Sequence, residues 1–146
     1  MNNALRRASI VALSELGRSD DYRDRADAGR GLAGFAELDE SVGILLDLML
    51  DAGDTFVTLV TVESVLRRKD RIGLAIVASA LAVADADHAE WIYTAIVNVF
   101  GVFSSDRDEA MQICEGLTRD SDENVSLGAR GLIGLLADID PVLRPA

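Results

Sequence analysis

The sequence predicts an all-α fold, a solenoid of about four antiparallel helix pairs that fills residues 1–146 as a single domain. Three observations predict it. Apolar residues return every three or four positions, the period of a helix with one buried face. The only prolines, Pro141 and Pro145, lie at the C-terminal end, so no helix before them is broken by proline. A pattern also echoes at a fixed interval: Asp21, Asp54, Asp87 and Asp122 each precede an apolar-periodic segment, at spacings of 33, 33 and 35.

Taken in order, the periodicity predicts helices over 3–16, 22–36, 39–51, 54–68, 71–85, 88–103, 107–118 and 123–138. The breaks are short and carry Asp or Gly: "GRSDD", "DAGD", "DAD", "SSD" and "RDSD". Links this short make neighbouring helices antiparallel. Asp54 and Asp122 are expected N-caps, and Asp87 with Glu90 and Asp106 with Glu109 have the spacing of capping boxes. The fourth segment, "TFVTLVTV", needs tertiary packing to be a helix, because its β-branched residues disfavour helix in isolation. The fifth and sixth helices are apolar nearly all round and belong in the middle of a stack.

The apolar series Leu32, Leu66, Val99 and Leu132 repeats with a period near 33, giving approximate repeats 3–36, 39–68, 71–103 and 107–138. One amphipathic pair cannot bury its own apolar faces, whereas stacked pairs share a continuous core. "DYRDRADAGRGLAGF" (21–35) and "DENVSLGARGLIGLL" (122–136) resemble the second helices of HEAT repeats, with a leading Asp, then Val or Arg, then Ala-rich spacing into Leu. "DTFVTLVTVESVLRR" (54–68) is a looser match, and 87–103 is looser still, with Trp91 and Tyr93 in place of small residues. The closely related armadillo-type stacks remain an alternative. The resemblance implies a right-handed superhelix whose second helices line a concave, partner-binding face.

"AGRGLAGFA" contains a literal G-x-G-x-x-G at Gly29, Gly31 and Gly34. A dinucleotide turn needs a buried strand before it and a helix opening at the glycines. Here a polar helical stretch precedes it, and "RGL-G" recurs at 130–134 deep in another helix. The expected role is close helix packing by Gly31 and Gly34, and likewise by Gly128, Gly131 and Gly134; no nucleotide is expected.

The formal net charge is −11, from 25 acidic and 14 basic residues. Such a field disfavours nucleic acid and anionic membranes and favours basic partners. Residues 37–66 carry seven acids and no base, while "RRKDR" (67–71) is the one basic cluster. Uncharged stretches stop at 72–84 and 91–105, too short to span a membrane, so a cytoplasmic protein is expected. Cys114 is alone and His88 is the only histidine, so neither a disulfide framework nor a zinc site is expected. No cofactor and no catalytic group are marked out.

The expected function is therefore a non-catalytic protein-interaction module, an adaptor or inhibitor-like scaffold. The competing reading is a small enzyme or accessory subunit acting on a small ligand or, against the charge, nucleic acid. On the concave face that the resemblance implies, the ridge positions are Arg30, Ser64, Val97 or Asn98, and Arg130. Trp91 and Tyr93 are candidate anchors with Arg67 and Arg68 as a charged rim. Trp91 fits a core role as well as a surface one.

Overall fold

The computed structural model describes residues 2–145. Among them are eight α-helices and no β-strand: α1 (Asn3–Leu16), α2 (Tyr22–Ala33), α3 (Asp39–Met49), α4 (Thr55–Leu66), α5 (Arg71–Val83), α6 (Ala86–Phe100), α7 (Ser104–Leu117) and α8 (Glu123–Ala137). Phe103 and Leu143 form an isolated parallel bridge that ties the chain after α8 to the α6–α7 link. No helix of the described residues is long and apolar enough to cross a membrane.

Several helices stop short of the apolar pattern because their ends tighten. After α2, Gly34, Phe35 and Ala36 each donate to the carbonyl three residues back, a 3₁₀ turn that continues the buried face without continuing the α-helix. The same happens after α4, where Arg68 donates to Val65 and Lys69 to Leu66. Lys69 then takes φ 53°, the left-handed conformation that reverses the chain into α5.

Asp21, Asp54 and Asp122 cap α2, α4 and α8, each carboxylate accepting first-turn N–H groups. The two capping boxes are corrected. Asp85, not Asp87, caps α6, and Asp87 lies in its first turn beside the helix dipole. Likewise α7 begins at Ser104, so Asp106 is a first-turn acid. Its N-cap Phe103 makes no side-chain bond; Ser104 N–H donates instead to the Leu143 carbonyl at 2.9 Å.

Tertiary packing overrides propensity in α4. Val57, Val62 and Val65 are fully buried, so burial of their branched side chains outweighs their few tenths of a kcal/mol of helix penalty. The repeat series Leu32, Leu66, Val99 and Leu132 all lies in one core.

Two packing themes organise that core. Helices α2, α4 and α6 form a row, α2 against α4 and α4 against α6. Contacts along the row advance together: Gly29 faces Thr61 and the Ala33 carbonyl accepts from Arg68, while the Asp51 carbonyl before α4 meets His88 and Glu63 further on accepts from Asn98. The row is therefore parallel. The broadest helix contact is elsewhere, between α5 and α8. There Gly128 lies against Ala78 and Gly131 against Leu81, again advancing together, so α8 runs alongside α5 in the same sense.

The glycine expectation is corrected in part. Gly128 lies so close to the Ala78 backbone that any side chain would overlap the Ala78 carbonyl. A methyl on Gly29 would overlap the Thr61 hydroxyl, and one on Gly31 would lie 2.7 Å from Leu13 Cδ2. Gly34 instead follows α2 as its C-cap, and a methyl there would meet only the Gly31 carbonyl at 3.5 Å. Gly134 has nothing within 4 Å. The second glycine of each "RGL-G" echo is thus not a packing contact.

Candidate functional site

Both capping aspartates that open α2 and α4 are followed by an aromatic ring, Tyr22 and Phe56. Because the two helices run parallel, the rings meet edge to face with centroids 5.9 Å apart and planes at 85°. Both remain about 40 % exposed (Tyr22 41 %, Phe56 40 %), so the pair faces solvent and not the core. An open groove of about 660 Å³ surrounds it, lined by Tyr22, Arg23, Asp27, Arg30, Asp54 and Phe56.

Each ring carries a guanidinium. Arg23 lies 5.9 Å from the Tyr22 centroid and Arg30 5.9 Å from that of Phe56, within cation–π range. Each arginine is also paired with a carboxylate: Arg23 with Asp21 at 3.1 Å, Arg30 with Asp27 at 2.8 Å. Hydrogen bonds from the Arg23 side chain and backbone hold the Asp21 carboxyl below its ordinary range. The groove therefore presents two rings, two guanidinium groups and the Asp27 and Asp54 carboxylates, a polar rim around an apolar centre.

Further along the row, Glu63 joins α4 to α6, accepting from Asn98 Nδ2 at 3.3 Å and from Arg67 at 3.0 Å. Tyr93 and Val97 are each 36 % exposed on α6, while Trp91 is half-buried and outside the core cluster. Ser64 turns its hydroxyl back to the Val60 carbonyl at 2.8 Å, leaving no free donor for a partner.

Of the residues singled out in the sequence, Arg30 enters the groove, and Arg67 and Asn98 share Glu63. Arg68 lies apart from the rim. Its guanidinium donates to the Ala33 carbonyl at 2.9 Å and pairs with Glu37 and Asp70, closing the ends of α2 and α4. Arg130 is exposed on α8, which packs on α5 outside the α2–α4–α6 row. Tyr22, Arg23 and Phe56 were missed. A legible signal existed, since each ring closely follows a capping Asp, Tyr22 by one residue and Phe56 by two.

A second polar cluster lies at the starting ends of the row. Arg25 binds Asp51 with two parallel hydrogen bonds of 2.9 and 3.0 Å, both side chains largely buried, and reaches the Ser19 and Asp20 carbonyls. Burial pushes the Asp51 carboxyl up, but the Arg25 bonds and the Asp54 and Gly53 N–H groups outweigh it, and the group is held below its ordinary value. His88 lies against the same link. The described residues contain no group of three His, Cys, Asp or Glu side chains placed to hold a metal ion. Burial pushes the Cys114 thiol up to about 12, which leaves it protonated and unreactive.

No protein-family model, no curated protein and no solved structure matches the chain.

Proposed function

We propose that the chain is a protein-binding module of HEAT-like build, a helical stack whose α2–α4–α6 row offers the docking face. The observation that carries this reading is the solvent-facing Tyr22–Phe56 pair in its open groove. Exposed rings with a polar rim are the usual anchors of protein interfaces, where a few aromatic and arginine side chains dominate the affinity. The parallel row and the echo of capping aspartates support the stack; α8, turned onto α5, departs from strict repetition. A net charge of −11 supports a basic partner by steering its approach.

The groove volume also falls within the range of small-molecule sites, which favours a ligand as the second reading. One comparison separates the two. Wild-type protein and a Tyr22→Ala, Phe56→Ala variant are used as bait in extracts of the native cell, at low and moderate salt. A protein held by the wild type and at least about tenfold less by the equally stable variant supports the docking face. A partner held equally by both rules that face out. Retention of a metabolite alone, lost in the variant, supports the ligand.

A further inference from the structure

His88 makes two contacts that differ in reach. Its Nδ1 lies 2.8 Å from Asp85 Oδ1, on the turn that opens α6. Its Nε2 lies 2.8 Å from the backbone carbonyl of Asp51, in the α3–α4 link. A carboxylate and a carbonyl both accept hydrogen bonds and neither donates. A neutral imidazole carries one N–H and one lone pair, so it can satisfy only one of them. The imidazolium carries two N–H groups and satisfies both.

From this geometry we infer that His88 is a proton-operated fastener between the α3–α4 link and the start of α6. Protonated, it bonds across the row. Deprotonated, its remaining N–H stays with the Asp85 carboxylate, the stronger and nearer acceptor in sequence. Nε2 then turns a lone pair toward the Asp51 carbonyl, and the long-range contact is lost.

The charged groups facing the ring agree with this sense. They are the Asp85 carboxylate in the α5–α6 link and Asp87 on α6 itself, both negative. In the α3–α4 link, the Asp51 carboxylate is occupied by Arg25 of α2, which leaves its backbone carbonyl to the ring. The Asp51 carbonyl first, opposed by burial and then aided by Asp85, raises the His88 pKa above its ordinary value of 6.5. A raised folded-state value means that the fastening is complete below the ordinary histidine range. It fades as pH climbs through the folded-state value.

The tie affects more than one helix end. Asp51 holds Arg25 of α2 through its carboxylate and His88 of α6 through its carbonyl, so one residue links the starts of α2, α4 and α6. Releasing His88 unties only the start of α6 from the α3–α4 link; the α4–α6 packing and the Arg25–Asp51 pair stay in place.

Because His88 is the only histidine, its ring protons give an unambiguous NMR titration of the full chain. The same samples are followed by amide hydrogen exchange at Gly53, Asp54 and Ala89, after correction for the intrinsic pH dependence of exchange. The expected midpoint lies above the ordinary histidine value. Protection should fall by about tenfold through that midpoint, as for loss of one charge-assisted hydrogen bond. His88→Gln, neutral at every pH, should abolish the step. A midpoint at or below the ordinary value overturns the inference. So does a raised midpoint without a protection step, or a step that survives in His88→Gln. Should that variant fail to fold, the wild-type titration and exchange decide the matter.

Discussion

Replacing Gly128 by alanine tests the α5–α8 contact directly. In isolation the change favours helix by about 1 kcal/mol. In place, the new methyl would overlap the Ala78 carbonyl and lie 2.8 Å from the Ala78 Cα. That obstacle is backbone, so it cannot move aside as a side-chain tip would. The carbonyl carbon would lie closer still, so restoring an ordinary carbon–carbon distance of roughly 3.5–4.0 Å requires the helices to part by about 1–1.5 Å. A gap of that size forfeits up to about half of the dispersion energy of each contact it opens. Overpacking costs about 1–3 kcal/mol, and the broadest helix contact in the molecule belongs at the upper end. Set against the propensity gain, the net loss is about 2 kcal/mol. Urea unfolding followed by circular dichroism should show the midpoint falling by about 1 M, with Tm lower by roughly 4–8 °C. Gly134→Ala is the matched control. It lies in the same helix with nothing within 4 Å, and should raise stability by up to about 1 kcal/mol. If Gly128→Ala matches or exceeds the wild type in stability, the close approach of α8 to α5 is refuted.

Thr61 is fully buried and its hydroxyl has no hydrogen-bond partner, so Thr61→Val should stabilise the fold by about 1 kcal/mol in the same urea assay. A loss of stability would mean that the hydroxyl is satisfied. Arg25→Met keeps the aliphatic stem but strands the Asp51 carboxylate, and should cost about 3 kcal/mol by thermal or urea unfolding. The folded-state Asp51 pKa is lowered, so its contribution is present above the ordinary value of 3.8 and is lost as pH falls through the folded-state value. Removing Arg25 should therefore move the onset of acid unfolding to higher pH, read as ellipticity against pH; an unchanged acid limb would rule the pair out as its cause.

The eight helices were legible because their signals are local: apolar period, capping aspartates and the absence of proline. The misplaced starts show where local signals run out. Asp85 and Asp87 are chemically alike, and only the backbone decides that the first caps and the second lies inside the turn. The start of α7 depends on Leu143, far along the chain. The α5–α8 contact was illegible for a related reason. Gly128 and Gly134 look equivalent in sequence, and the difference between them is a carbonyl on another helix. At the site, Arg30 was found by its repeat position. Tyr22 and Phe56 were passed over in favour of Trp91 and Tyr93, although they become a pair once α2 and α4 run side by side.

A row of stacked helix pairs in which each touches only its neighbours can unravel from an end, one pair at a time. The union of α5 with α8 forbids that in the C-terminal half. It clasps the chain across α6 and α7, so neither can peel away while the clasp holds. The bridge from Phe103 to Leu143 adds a second stitch over the same span. Residues from Arg71 to Leu143 should thus melt as one cooperative block, with a single slow exchange class for their most protected amides. At the other end, α1 exposes Leu5 and Val11 and has no such clasp; Ile10 and Leu13 seat it on the core, so its amides should exchange faster than those of the clasped block.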